Sequence, residues 1–241
     1  MRIIRVNSYE ELSERAAGFI SAQITLKPDC VLGLATGTTP KGTYENLISL
    51  YKKGLVDFSQ VRTANLDEYA GLSPKDPHSY RYFMNTELFD HVNIDKEHTF
   101  LPDGLAEDLL EECRQYEAKI KSLEGIDLQL LGLGHNGHIG FNEPAKEFIK
   151  DTHVVSLTES TIKANSRLFE KPEDVPRKAV TMGIGTIMGA ARLLLIVSGA
   201  DKREALNLVL NGPICPECPA SVLKLHTDLV VIADKEAYPE E

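Results

Sequence analysis

Proton transfer on a small molecule needs a carboxylate or an imidazole held where a substrate can reach it, and this sequence offers both. Asn65-Leu66-Asp67-Glu68-Tyr69 delivers Asp67 to the carboxyl end of a strand-like run, Val61 to Leu66. Farther along, Asn136-Gly137-His138-Ile139-Gly140-Phe141-Asn142-Glu143-Pro144 combines an imidazole with a carboxylate and an amide. A histidine beside a carboxylate is the usual way to hold one tautomer ready for acid–base work. The glycines let the backbone fold tightly enough to gather Asn136, His138 and Glu143 around one point. A purely structural His–Glu pair is the competing reading, and it loses ground if Asp67 reaches the same crevice.

An anion site is the second constellation. Thr36-Gly37-Thr38-Thr39-Pro40 joins a strand to a helix, with Gly37 permitting close backbone approach and Pro40 suited to the first helical position. Free N–H groups and the helix dipole favour an anion there, and the threonine hydroxyls add donors; a plain N-cap after a tight turn is the competing reading. The GxxxxGK[ST] spacing of a nucleotide-binding loop is not met. Lys202 follows another strand-to-helix switch, and Arg167 lies in the polar segment 145–178, where a guanidinium could close a bidentate bond on a phosphate; taken singly, each reads equally as a solvated surface cation.

Three other patterns carry less. Gly132-Leu133-Gly134-His135-Asn136-Gly137 matches the dinucleotide GxGxxG, and Glu159 stands at a tolerable distance for a ribose contact. Gly140 and Pro144 arrive too soon for the long helix that motif requires, so no nicotinamide cofactor is expected. His135 and His138 have only Glu143 as a nearby third ligand, which falls short of a catalytic zinc pattern, and no metal is expected. Cys215-Pro216-Glu217-Cys218 lacks the second ligand pair of a structural zinc site and receives no function.

The elements needed to position these residues can be read from hydrophobic pattern. Leu12, Ala16, Ile20 and Ile24 mark one face of a first helix over about Tyr9 to Ile24. Strands are predicted at Val31–Ala35, Val61–Leu66, Ile126–Leu133, Arg192–Ser198 and Leu229–Ala233. Helices are predicted after Pro40, over Ala106–Leu123 and over Lys202–Leu210. Alternation of this kind predicts an α/β fold: one domain over 1–241, with a mainly parallel, doubly wound sheet and helices on both faces. The polar segment 145–178 is expected to be a lid or an edge helix pair. Thr36–Thr39, Asp67, Asn136–Glu143 and Ser198–Lys202 all fall at strand ends, where open α/β sheets bind ligands.

The chain has 241 residues, of which 42% are hydrophobic and 26% charged, with a formal net charge of −10, so neither nucleic acid nor an anionic membrane is an expected partner. The dense apolar run Leu193–Val197 is too short to cross a bilayer, and no leader pattern is read at the start. A cytoplasmic location is expected.

Several of these runs together resemble one family. Asn65 to Leu72, Ser79-Tyr80, Phe83-Met84, Gly137 to Pro144, Ala164-Asn165-Ser166-Arg167 and Leu193 to Lys202 are similar to the glucosamine-6-phosphate deaminases. The resemblance implies a cofactor-free conversion of glucosamine 6-phosphate and water into fructose 6-phosphate and ammonia. It implies that Asp67 moves the C2 proton to C1, and that His138, oriented by Glu143 and Asn136, opens the sugar ring. Thr36, Gly37, Thr38, Thr39, Arg167 and Lys202 resemble the phosphate site. Asn136 replaces an aspartate found in part of the family, which leaves positioning but removes proton sharing. Lys146-Glu147-Phe148 and His153-Val154-Val155 stand where some relatives bind an N-acetylated effector, and those relatives also carry a longer C-terminal segment. No such activation is expected, and the assembly is expected to be a monomer or small homo-oligomer. The related 6-phosphogluconolactonases usually carry Arg in place of Tyr69 and a Ser-Leu-Phe-Pro ending in place of Phe141 to Pro144. A galactosamine-6-phosphate isomerase is a nearer alternative. A sugar-sensing transcription regulator would need a helix-turn-helix and a basic surface.

Overall fold

A strand covered on both faces must be apolar at consecutive positions, and this pattern accounts for the central layer. The computed structural model describes residues 1–157 and 175–239. Its strands among these are β1 (Arg2–Val6), β2 (Val31–Leu34), β3 (Arg62–Asn65), β4 (Asp67–Tyr69), β5 (Thr99–Phe100), β6 (Leu128–Gly132), β7 (His153–Ser156), β8 (Lys178–Thr181), β9 (Leu193–Val197) and β10 (Leu229–Asp234). The α-helices are α1 (Tyr9–Leu26), α2 (Lys41–Lys52), α3 (Tyr80–Glu87), α4 (Leu109–Ser122), α5 (Ile184–Met188) and α6 (Arg203–Asn211). Strands β2, β9 and β10 are buried at every residue.

Seven strands form one sheet in the order β1-β10-β9-β6-β2-β3-β5. Every neighbouring pair in it is parallel. From β2 the chain winds one way through β3 and β5, then returns to β6 and winds the other way through β9 and β10. The direction therefore reverses between β2 and β6, and ligands bind at such a reversal, beyond the carboxyl ends of the strands.

Helix α1 buries Leu12, Ala16, Ile20 and Ile24, as its i+4 spacing predicts. Fully burying each large aliphatic side chain contributes roughly 1.5–3 kcal/mol. Ser8 caps the helix by accepting the Glu11 N–H at 3.3 Å, while Glu11 reaches back to the Asn7 N–H at 2.9 Å. Pro40 sits one residue earlier than predicted, at the N-cap of α2. Residues Ala200–Lys202 form a 3₁₀ turn ahead of α6, where a continuous helix from Lys202 was expected.

A second, three-stranded antiparallel sheet, β4-β8-β7, has no counterpart in the sequence reading. It grows out of the first at Leu66. The Leu66 N–H donates to the Leu34 carbonyl across the parallel sheet at 3.0 Å, and its carbonyl accepts the Met182 N–H at 2.7 Å. One residue thus belongs to both hydrogen-bond systems, and Asp67 follows as the first residue of β4 rather than as the end of β3. Within the expected 145–178 lid, β7 belongs to this sheet, and β8 begins at the segment's last residue, Lys178. The middle of the segment, residues 158–174, lies outside the described residues, and Arg167 with it. Among the described residues no helix is long and apolar enough to cross a membrane.

Candidate active site

The four polar clusters follow β9, β6, β2 and β3, which are consecutive in the parallel sheet. Parallel neighbours end on the same edge, so all four clusters share it. Contacts between them narrow this to one crevice.

The loop after β2 is held from outside by Tyr9. Its hydroxyl donates to the Thr38 and Thr39 carbonyls at 3.2 and 3.1 Å and accepts the Gly42 N–H at 2.9 Å. Gly37 has φ 97°, a conformation that favours glycine. Tyr44 donates to the Ala35 carbonyl at 2.5 Å. A cleft of about 420 Å³ opens beside the loop, lined among others by Thr38, Thr39 and Ser198. On the Ser198 side the turn is pinned by buried Asp234, which accepts from the Ser198 hydroxyl at 2.5 Å and the Gly199 N–H at 3.2 Å. Lys202 follows that turn, close enough to His138 to hold its pKa down by charge repulsion.

Asp67 and Glu68 are adjacent, both buried, and chemically opposite. Glu68 accepts the N–H groups of Tyr69 at 2.8 Å, Tyr80 at 2.9 Å and Arg81 at 2.8 Å, so it anchors the start of α3. Burial still raises its pKa. Asp67 is 6% exposed, and no hydrogen bond among the described residues reaches its carboxylate. Desolvation first, and the Glu68 charge second, push its pKa up to about 8.

The His138 loop packs directly onto Asp67. A methyl group built on Gly140, where φ is 55°, would stand 3.3 Å from Asp67 Oδ2 and 2.9 Å from Thr181 Oγ1. Thr181 is the backbone partner of Asp67 in the second sheet, and its hydroxyl accepts the Phe141 N–H at 3.1 Å. This buried threonine therefore ties the acid strand to the imidazole loop. Tyr69, Tyr80 and Phe141 form an aromatic wall beside them, with Tyr69 centred 4.8 Å from Tyr80 and 5.5 Å from Phe141. Tyr80 and Phe141 stack at 5.9 Å, and the Tyr80 hydroxyl bonds to Thr36, linking the wall to the anion loop.

Within the loop a directional chain fixes the imidazole. An ionised Glu143 can only accept, so the Asn136 amide turns its nitrogen to Glu143 Oε2 at 2.8 Å. The amide oxygen then faces His138 Nδ1 at 2.7 Å, which must be the protonated nitrogen. Nε2 is left as the acceptor. The ring lies over Gly134, where a Cβ would meet its atoms at 2.2 Å. Desolvation is the largest influence lowering the His138 pKa, opposed by Glu143 and reinforced by Lys202 and His135. The resting imidazole is neutral. Glu143 lies 3.6 Å from Nδ1, with Asn136 bridging them.

Residues 6–232 match the family model for glucosamine-6-phosphate isomerases/6-phosphogluconolactonase. The chain belongs to that family. A glucosamine-6-phosphate deaminase of Lachnoclostridium phytofermentans is 58% identical over 96% of this chain and 98% of its own. One from Thermoanaerobacter pseudethanolicus is 54% identical over 98% and 94%. The solved structure of a monomeric glucosamine-6-phosphate deaminase superposes with a TM-score of 0.96 at 50% identity, covering 98% of each chain. A Thermotoga maritima 6-phosphogluconolactonase shares the fold alone, at 18% identity and a TM-score of 0.78 over 97% of this chain and 99% of its own.

Among family features, the structure brings Thr36–Thr39, Asp67, Asn136, His138, Glu143 and Lys202 to one strand edge. Sequence reasoning missed Tyr9, Thr181 and Asp234, which act through backbone contacts. For Thr181 a signal existed, a hydroxyl closing the apolar pair Ala179-Val180.

Two outcomes follow from this geometry. Thr181→Val leaves the buried Phe141 N–H unpaired and should cost about 1–3 kcal/mol in urea unfolding, with faster amide exchange at Phe141, whereas Thr181→Ser should restore both. For Asp67 the folded pKa lies above the unfolded value near 3.9, so native protein holds the extra proton between roughly pH 4 and 8 and loses stability as pH rises through that window. Asp67→Asn should therefore lie nearest to wild type in thermal melts at about pH 3.5, and gain on it by a few kcal/mol at about pH 8; an unchanged difference between the two pH values refutes the burial cost.

Proposed function

We propose that this chain converts glucosamine 6-phosphate and water into fructose 6-phosphate and ammonia. The observation that carries the reading is the packing of the Asp67 carboxylate against Gly140 of the His138 loop, which supports a base and an imidazole acting on one substrate. Full-length similarity to deaminases at 58% and 54% identity supports it.

The phosphate enters the Thr36–Thr39 loop, where backbone N–H groups and Lys202 neutralise it; Arg167, outside the described residues, is assigned there by family resemblance. The sugar then extends toward His138 and Asp67. Nε2 takes the O1 proton and returns one to O5, opening the ring. Neutral imidazole with Nδ1–H held by Asn136 is the form this step requires, and Asn136 positions without sharing the proton. In the open chain C2 stands beside a carbonyl, and Asp67 moves its proton to C1 through an enolamine. Water hydrolyses the resulting C2 imine and releases ammonia. A base whose pKa lies near working pH typically contributes on the order of 100- to 10,000-fold. No step calls for a metal or an organic cofactor.

The Tyr69 side chain supports deamination over lactone hydrolysis, because it is buried in the aromatic wall at the position where lactonases usually carry Arg. A cytoplasmic monomer or small oligomer is the proposed state, in line with the monomeric deaminase that this chain resembles.

A coupled assay for ammonia and fructose 6-phosphate, run with glucosamine and galactosamine 6-phosphates and with 6-phosphogluconolactone, tests the reading; turnover of the lactone alone would overturn it. Asp67→Asn should reduce kcat by on the order of 100-fold or more while a substrate analogue still binds, and His138→Gln should slow ring opening more than turnover of open-chain substrate. The kcat/KM profile of wild type should rise through about pH 8 as Asp67 ionises. The substrate's cationic amine beside the carboxylate should move the kcat limb to lower pH. N-acetylglucosamine 6-phosphate should leave the rate curve unchanged, and sigmoidal kinetics made hyperbolic by it would refute that expectation.

A further inference from the structure

Cys215 and Cys218 serve no role in the reaction above, yet their turn supports the His138 loop at two points. The Ala220 N–H donates to the Gly137 carbonyl at 2.9 Å, and the Ala145 N–H donates to the Pro216 carbonyl at 3.1 Å. These contacts bracket residues 137–145. The Cys218 sulfur also occupies the space a side chain at Gly137 would need, standing 2.5 Å from the position of a Cβ there. Gly137 has φ 82°, so it is held in a glycine conformation with a thiol pressed against its open face.

The two cysteines face each other across a tight turn. They form an isolated antiparallel bridge, and the Cys218 N–H donates to the Cys215 carbonyl at 3.1 Å. Opposed residues in such a bridge have Cα atoms roughly 4.5–5.5 Å apart, within the 4.4–6.8 Å range of disulfides. Both are free thiols; Cys215 is partly exposed and Cys218 buried. The remaining cysteines do not compete. Cys30 and Cys113 are buried, and desolvation pushes their thiols up to about 12 and about 11.

We propose that Cys215 and Cys218 are a reversible oxidation site whose disulfide shifts the His138 loop and lowers activity. The partly exposed Cys215, as thiolate, attacks one sulfur of a small disulfide such as oxidised glutathione, giving a mixed disulfide and one released thiol. Cys218 gives its proton to solvent and attacks the Cys215 sulfur, releasing the second thiol. Two protein thiols are oxidised and one small disulfide is reduced, so electrons balance. Closing the bond draws the Cys218 sulfur from Gly137 toward Cys215, which removes the support under His138. Displacement of catalytic groups by about 1 Å can cost on the order of 100-fold in rate.

The rate effect rests on the deaminase reading, so the test has a second readout. The full chain is equilibrated in oxidised and reduced glutathione, then analysed by peptide mapping, by amide exchange over residues 134–145 and by ammonia release. The expected result is a Cys215–Cys218 disulfide, faster exchange in that loop, and a 10- to 100-fold fall in rate that dithiothreitol reverses. Cys215→Ser should keep wild-type rate under both conditions and form no disulfide. Thiols that stay free in oxidised glutathione, or a disulfide that leaves loop exchange unchanged, would overturn the inference. Absence of ammonia release from the reduced chain would instead count against the proposed reaction, and the exchange data would still decide the role of the thiol pair.

Discussion

A carboxylate taken out of water without a hydrogen bond is costly, and the architecture around the crevice exists to keep one there. Asp67 is secured by its backbone, through the ladder to Thr181, because its side chain has no donor among the described residues. The neighbouring Glu68 absorbs three N–H groups and fixes α3, and with it the aromatic wall. The same burial that raises the pKa of Asp67 makes it basic enough to be useful near neutral pH. Stability is given up at the residue proposed as the base, and the seven-stranded core supplies the surplus.

How far the sequence showed this depends on the kind of strand. Runs such as Leu193–Val197 and Leu229–Ala233 are legible because double-sided burial leaves no polar position to break them. Edge strand β1, with Arg2 and Arg5, and the two-residue β5 give no such run. The second sheet escapes for a different reason. Its strands are three or four residues long, and β4 pairs with β8 across more than a hundred positions. Local pattern cannot report a partner that distant. The site was legible one step further than the fold: polar residues at the ends of apolar runs marked the crevice, but Tyr9 holds it through backbone carbonyls and Asp234 through a serine 36 positions away, and neither link leaves a mark in a local pattern.

The imidazole illustrates how little separates positioning from relay. Glu143, Asn136 and His138 stand in line, but the central amide passes orientation and blocks proton movement. Each bond in the chain follows from the one before, beginning with a carboxylate that cannot donate. The outcome is one ring nitrogen committed and one available, with neutral charge favoured by burial.

Glu68 has an effect on geometry outside its own contacts. Tyr80 and Arg81 give their N–H groups to its carboxylate, Tyr82 gives its own to the Ser79 hydroxyl and Phe83 to the Ser79 carbonyl, so α3 begins with its donors spent. A helix start in that condition offers nothing to a second anion and meets it with negative charge. On the proposed reading a phosphate is therefore left to the Thr36–Thr39 loop, because the start of α3 has no welcome for a second anion.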